Sequence, residues 1–518
     1  MRFVSDPATS LKIQKMQERV KWRTPSLIDR GIDQTRLVIE DDREQDAFSF
    51  LVIGDSGSGR HPGHFPQRRI AEQMLPHRDE SRFILHTGDV IYLVGSSEFY
   101  PHNFIEPYRE FLVGGETPSQ IAFDQMVFNL PFLPVLGNHD YYDLPLVYGI
   151  LSQVSYPIRK LLRSRIDFDI RFHGSYQGKA FAQAFMDLLS VAEQHGKLAT
   201  HLDQHYTAET STGRCLRYQP GSFTRLPNRY YTFRYGGIDF FALDSNTINE
   251  PTPLSAGQAG RADRRRLTEQ RAAIEQEMQQ LMVDISRLDI NEPEQSDQAD
   301  DIRVKLQQLE EIQIDIEKQL NAETSVESDY EQLDWLRDRL VQSWRSPEVR
   351  GRVVYFHHPP YVTEATKWYQ AQTLAVRYRL RQVFDDVARE IDLKGRPIVD
   401  LVLNGHAHCF EYLRTGDTGH ADSNMNWVVC GGSGYSLRRQ REEGAEITER
   451  IESEERIVAK SQLFVGRTGQ GAYKQRPYSF VRIDVTADDP VKFILRPYVS
   501  EWSRRQWHDR ALDPIVLT

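Results

Sequence analysis

A chain of 518 residues, 39% apolar and 27% charged, has ample material for a core and is too long for one ordinary domain. Its composition excludes a collagenous, a wholly disordered or a disulfide-stapled mini-protein. A net charge of −10, from 64 Lys and Arg against 74 Asp and Glu, argues against a dedicated nucleic-acid binder.

Cysteine usage and the first residues bear on compartment. Cys215, Cys409 and Cys430 show no CxxC spacing, so neither a disulfide framework nor a cysteine zinc site is expected, and a reducing compartment fits. The opening MRFVSDPATSLKIQKMQERVKW carries no apolar leader segment, and no run approaches the roughly 18 apolar residues of a membrane span. The expectation is a cytoplasmic protein without membrane contact.

In chain order, residues 1–46 read as a polar N-terminal extension, mildly helical around 10–21 and closing on a charge run, ahead of one large domain at 47–518. FSFLVIGDSGSG (48–59), SRFILHTGDVIY (81–92) and PFLPVLGNHDYY (131–142) are apolar β-type runs that each end on a glycine-containing polar turn. RYYTFRYGGIDFFALDSNT (229–247) reads as a hairpin turning at its two glycines. RVVYFHHPPY (352–361), PIVDLVLNGHAHCF (397–410) and WVVCGGSGY (427–435) are three more buried strands, and 68–77 and 372–391 lean helical. Strands alternating with helices predict a layered α/β core. The polar motifs sit at strand C-termini, where open α/β sheets place their sites.

Three insertions interrupt this pattern. Residues 144–215 form a helical flank or cap containing His173, His195, His201 and His205. Within 258–325, Leu267, Ile274, Met278, Leu281, Ile285 and Leu288, then Ile302, Leu306, Leu309, Ile312, Ile316 and Leu320, keep helical 3/4 spacing on either side of NEPEQSDQ. That predicts an antiparallel helical hairpin of coiled-coil character, an appended arm roughly 35–45 Å long. Its outer face is a candidate surface for a protein partner or for self-association. Residues 437–475 read as a mobile charged loop, with Arg438, Arg439 and Arg441 as solvated charge or, alternatively, a grip on an anionic substrate.

The chemistry lies in five motifs taken in order: Gly54-Asp55-Ser56-Gly57, Gly88-Asp89-Val90-Ile91-Tyr92, Gly137-Asn138-His139-Asp140, His357-His358-Pro359-Pro360-Tyr361 and Gly405-His406-Ala407-His408. Each alone is a common turn. Together they supply Asp, Asn, His and Tyr donors of the hard or borderline kind that suits Fe, Zn or Mn, in numbers sufficient for two metal ions sharing one carboxylate.

This ordered set resembles the calcineurin-like metallophosphoesterase superfamily, and within it the purple acid phosphatases. The superfamily commonly opens with Asp-x-His; here Asp55-Ser56-Gly57 lacks that histidine, and Tyr92 of the GDxxY motif replaces it, as in the purple acid phosphatase variant. NRYYTFRYGGIDFFALDSNT and EQLDWLRDRL also resemble family segments, so the hairpin is an insertion between them. The resemblance implies a four-layer αββα sandwich of two mixed β-sheets. It assigns Asp55, Tyr92 and His408 to one metal, Asn138, His357 and His406 to the other, and Asp89 to both. It gives His139, oriented by Asp140, the role of acid or phosphoryl donor, and the HxPxY pattern selects His357 over His358.

The implied activity is hydrolysis of phosphate esters by in-line attack of a metal-bound hydroxide, with two cations ~3.5–4 Å apart clamping the phosphoryl oxygens. A tyrosine ligand favours Fe(III), with Fe, Zn or Mn beside it, because a phenol of pKa about 10 is a poor ligand for Zn²⁺ at neutral pH. The rival readings are a phosphatase-like scaffold whose hairpin holds a partner, and a cyclic-nucleotide or nucleic-acid phosphodiesterase. Tyr92 also fits a buried strand tyrosine, Cys409 a small core residue, and His201 and His205 exposed surface histidines.

Overall fold

The computed structural model describes residues 4–59, 64–143, 174–288, 292–322, 327–451, 454–469 and 473–517. Residues 144–173 of the first insertion, His173 among them, lie outside the described residues, as do 323–325 and 470–472 of the other two.

The described strands are β1 (Ile32–Ile39), β2 (Phe48–Ile53), β3 (Ser81–His86), β4 (Phe132–Pro134), β5 (Ala208–Thr210), β6 (Gly213–Tyr218), β7 (Tyr231–Tyr235), β8 (Ile238–Ala242), β9 (Gly351–Tyr355), β10 (Leu401–Asn404), β11 (Phe410–Thr415), β12 (Asn426–Cys430), β13 (Glu446–Ile451), β14 (Glu454–Val465), β15 (Arg476–Val485), β16 (Phe493–Ser503), β17 (Gln506–Ala511) and β18 (Ile515–Val516). The α-helices are α1 (Thr9–Val20), α2 (Pro25–Ile28), α3 (Pro66–Met74), α4 (Lys179–Phe185), α5 (Leu189–Gln194), α6 (Leu198–His205), α7 (Gln258–Ser286), α8 (Pro293–Asn321), α9 (Tyr330–Arg345) and α10 (Ala371–Glu390).

They form two mixed sheets. The eleven-stranded one runs β13-β14-β11-β12-β10-β9-β8-β7-β1-β6-β5, and the seven-stranded one β17-β16-β15-β2-β3-β4 with β18 beside β16. Strand periodicity decides how they stack, because successive side chains point to opposite faces. Phe240, Val353 and Leu403 join one core cluster, whereas their neighbours Phe241, Val354 and Val402 join another. The first face meets the second sheet: Phe50 and Phe83 pack edge-on against Phe240, and Phe83 against Phe233, with centroids 5.3–5.5 Å apart. Such aromatic pairs add about 0.5–1.5 kcal/mol each beyond area burial. The opposite face is covered by Leu336 and Leu340 of α9 and by Val376, Leu380 and Phe384 of α10, while α3 packs on β15 and β16. The layers therefore run helix, sheet, sheet, helix. The turn between β7 and β8 is Gly236-Gly237, both at positive φ, which lets a two-residue link match the twist of the strands.

Three expectations are corrected. The segment 1–46 is built into the fold: β1 lies between β7 and β6, and α1 buries Met16 and Val20 in the main core. The described part of 437–475 is not all loop: β13 and β14 pair with each other, and β14 pairs with β11, because Ile447, Val458 and Ala459 offer a buried face between charged residues. Arg438 and Arg441 are buried; Arg439 is exposed.

The third correction concerns α8. Leu306, Leu309 and Ile316 pack against Leu267, Ile274 and Met278 of α7. A second face of α8, however, lies on the body of the protein. Ile314 joins the main core, Glu310 accepts from the Val4 NH at 3.0 Å, and Lys318 pairs with Asp6 at 2.6 Å. Asp315 accepts from the NH groups of Ala371 and Gln372 at 2.9 and 3.0 Å, capping the start of α10. The helix is not an appended arm, because its charged face finds opposite charge and helix-end NH groups on distant segments. Among the described residues no helix is long and apolar enough to cross a membrane.

Candidate metal centre

Strand register brings the motifs together. β2, β3 and β4 are parallel neighbours with Ile53 opposite His86 and His86 opposite Pro134, so Asp55, Asp89 and Asn138 emerge side by side beyond their C-terminal ends. In the other sheet β9 and β10 are parallel with Tyr355 opposite Leu403, and the Gly405 NH donates to the His357 carbonyl at 3.0 Å. That places His357 next to His406. Asp55, Asp89 and His406 sit at φ 54, 55 and 65°, a left-handed backbone that non-glycine residues seldom adopt, and one that clusters at functional sites. At Gly137 a Cβ would come within 2.0 Å of Asp89 Oδ1, so only glycine admits that approach.

Asp55, Asp89, Tyr92, Asn138, His357, His406 and His408 converge. The Tyr92 hydroxyl lies 2.8 Å from Asp55 Oδ1, 2.7 Å from Asp89 Oδ2 and 3.1 Å from His408 Nε2. His357 Nε2 lies 3.0 Å from Asn138 Oδ1, 3.2 Å from Asp89 Oδ2 and 3.2 Å from His406 Nδ1. Among the described residues, Asp89, His357 and His406 bring one ligand atom each within 4.8 Å of one another. None of these side chains is more than 5% exposed.

Two imidazoles have their orientation set from behind. His357 Nδ1 is 2.9 Å from the Thr87 carbonyl, and His408 Nδ1 is 3.0 Å from that of Ser436, so each donates there and turns Nε2 on the cluster. Metal-binding histidines are held in this way. His406 Nε2 and Asn138 Nδ2 are buried without a hydrogen-bond partner. This donor set, rich in carboxylate and imidazole and containing no lysine or arginine, fits bound cations.

The electrostatics follow from burial and proximity. Burial would raise the Asp89 carboxyl, but the His357 and His139 imidazoles outweigh it and hold Asp89 far below the usual carboxylate range. Asp55 goes the other way: burial, with Asp89 close by, pushes it well up despite His357. Burial would lower His357, yet Asp89 and Asp55 bring it up to about 9. Burial and the same two carboxylates push the Tyr92 hydroxyl well above its ordinary value.

His139 lies at the edge of the cluster. Its main-chain NH donates to Asp89 Oδ1, and its Nδ1 donates to the Leu93 carbonyl at 2.5 Å. Asp140 does not orient it, which corrects that expectation. The Asp140 carboxylate instead accepts from the NH groups of Gly137 and Val90 at 2.9 and 3.1 Å, tying two site turns together. Burial and then Asp89 push it up to about 7.

His358 turns away from the cluster's donors, with Nδ1 2.8 Å from Ser245 Oγ and Nε2 3.2 Å from Asn249 Nδ2. His201 is engaged rather than a free surface histidine: its Nε2 lies 2.9 Å from both oxygens of Asp187, beside a cavity of about 620 Å³ apart from the cluster. Cys215, Cys409 and Cys430 are free thiols, all buried. Sequence reasoning missed Tyr435, whose ring stacks on Tyr92 at 3.7 Å; its place just beyond the β12 run was the available signal. It also missed Lys367 and Glu311, which no motif marks.

No protein-family model matches the chain, and no curated protein matches it. Among solved structures, GAP50, the anchor in the inner membrane complex of Plasmodium, aligns at 11% identity and a TM-score of 0.37, over 90% of this chain and 89% of that one. The purple acid phosphatase PPD1 from yellow lupin (Lupinus luteus) seeds aligns at 13% and 0.41, over 91% of this chain but 54% of the lupin chain. PhoD aligns at 12% and 0.39, over 91% of this chain and 69% of its own.

Proposed function

We propose that the protein is a metal-dependent phosphoesterase working with two ions, held by Asp55, Tyr92 and His408 on one side, by Asn138, His357 and His406 on the other, and by Asp89 between them. The observation that carries this reading is the convergence of these buried donors from the ends of two sheets, with His357 and His408 each turned inward by a main-chain carbonyl. Bound ions would supply Lewis acidity toward the phosphoryl oxygens and lower the pKa of a water.

The chain's own residues do the rest. The Asp89 charge sits between the two donor groups and lets them approach. Asn138 and the imidazoles set the direction from which phosphorus is presented. His139 has Nδ1–H committed to Leu93, so in the imidazolium form, which burial opposes and Asp89 favours, Nε2 is the atom that passes its proton to the leaving oxygen, a contribution of roughly 10²–10⁴-fold. Tyr92 lies between two carboxylates that oppose its ionisation, which favours a strongly Lewis-acidic partner, Fe(III), with Fe, Zn or Mn in the second position.

The test is hydrolysis of p-nitrophenyl phosphate against bis(p-nitrophenyl) phosphate, using protein with its native metals and protein reconstituted with Fe, Zn and Mn. Turnover that His139→Ala abolishes supports the proposal, and the better ester assigns monoester or diester preference. Absence of turnover with two ions bound would favour the scaffold reading.

A further inference from the structure

Two buried cations flank the candidate metal centre. Lys367 and Arg438 are each 1% exposed. Lys367 follows the turn that carries His357, and the Arg438 main-chain NH donates to the His408 carbonyl at 2.9 Å.

Desolvated cations require an anion. Here α8 supplies it. Lys367 Nζ donates to Glu311 Oε2 at 2.7 Å, and Arg438 Nη2 lies 3.8 Å from Glu311 Oε1. The other nearby acid, Glu364, is occupied by the NH and hydroxyl of Thr366 at 2.8–3.1 Å. The carboxylate leaves the arginine under-filled: Arg438 Nε and Nη2 are buried without a hydrogen-bond partner, and Nη1 reaches the Val304 carbonyl at 3.3 Å. As placed, the Glu311 carboxylate leaves two of the three guanidinium nitrogens without a hydrogen bond, donors that the oxygens of an anion brought closer could fill.

Access points the same way. The proposed ligands are all buried, so substrate reaches them only when the covering segments part. The face that α8 lays on this region is largely polar, with ion pairs at Asp301, Glu311 and Lys318, backbone NH groups on Glu310 and Asp315, and Ile314 as its contact with the main core, and polar contacts regain water on opening where a continuous apolar seam cannot.

We propose that Lys367 and Arg438 form an anion subsite for the outer oxygens of the substrate phosphoryl group, and that Glu311 is its internal occupant, displaced with α8 when substrate enters. This rests on the phosphoesterase reading. Apparent affinity is then the intrinsic affinity reduced by the open fraction.

The test uses inorganic phosphate as probe and calorimetry on the full-length protein with its native metals. Glu311→Gln keeps the side chain's shape and its bond from Lys367 while removing the charge. Glu311→Ala removes the contact. Both are expected to bind phosphate about tenfold more tightly than wild type, and adding Lys367→Met is expected to erase the gain. In wild type, phosphate is expected to speed proteolysis within α7 and α8. Unchanged or weaker phosphate binding in both Glu311 variants, at wild-type metal content and with a cooperative melting transition, overturns the subsite, as does a gain that survives Lys367→Met. Metal analysis of the same samples separates the two readings. Protein that takes up no stoichiometric metal defeats the metal centre, whereas the Glu311 and Lys367 comparison in it still reads the charge pair.

Discussion

The main-chain NH of His139 donates to the Asp89 carboxylate at 2.9 Å, so the proposed acid and the proposed shared ligand are fixed to each other by the backbone. Asp89→Asn keeps the shape and removes the charge between the two donor groups. Metal content measured by mass spectrometry should fall below stoichiometric, and turnover of p-nitrophenyl phosphate should be lost. A variant that retains both ions would refute the shared-ligand role.

The turn carrying His139 is held against Asp89 by the absence of a side chain at Gly137. Gly137→Ala would put a Cβ 2.0 Å from Asp89 Oδ1 and 2.2 Å from its main-chain N. Neither partner is a flexible tip. The expected outcome is loss of activity with lowered thermal stability, read by melting curves alongside the ester assay.

Removing 258–325 behind a short Gly/Ser join tests the placement of α8. For an appended arm the rest of the protein would keep its stability. Here the deletion strips Lys367 and Arg438 of Glu311 and the start of α10 of Asp315. Breaking a buried pair by removing one partner costs about 3–5 kcal/mol. A marked fall in melting temperature is expected; a truncated protein as stable as the full chain would contradict this packing.

Arg229 ties the turn after β8 to α9. It pairs with Asp244 at 3.3 Å and with Asp329, the N-cap of α9, and all three are buried. Burial opposes its charge, but Asp329 and Asp244 outweigh this and raise the guanidinium. Arg229→Met leaves two carboxylates facing each other and should cost about 3–5 kcal/mol in denaturant unfolding. A cost under about 1 kcal/mol, the range of exposed pairs, would be inconsistent with this arrangement.

Glu311 also predicts a pH dependence. Burial raises its carboxyl, but Lys367 and Arg438 outweigh that and hold it down at about 2, against 4.5 ordinarily. A depressed acid stabilises the fold fully above its unfolded pKa, and that contribution is lost as pH falls through the folded one. The stability that Glu311 contributes is therefore complete above about 4.5 and declines toward about 2. Glu311→Gln should flatten the stability curve in that window, measured by urea unfolding at stepped pH. An unaltered slope would show that the charge is not what binds α8.

The strand runs are legible in the amino-acid sequence because apolar β-type stretches closing on glycine turns reflect local chemistry. The motifs are legible for the same reason: Asp55, Asp89, Asn138, His357, His406 and His408 all stand just past such runs. Their meeting is a matter of register, with Ile53 opposite His86 and Tyr355 opposite Leu403, and register is not written in any one segment. The group that orients His139 is not legible, because Asp140 follows it directly whereas the Leu93 carbonyl belongs to another turn.

The sequence by itself determined the strands that carry the motifs, the helical pair and the set of chemical groups, since each depends on spacing within a short stretch. The tertiary structure alone decided the second face of α8, the pairing of β13 with β14 and the burial of Lys367 and Arg438. A charged residue reads as solvated wherever its partner is unknown. Glu311 and Lys367 are 56 residues apart, so only folding shows that each neutralises the other.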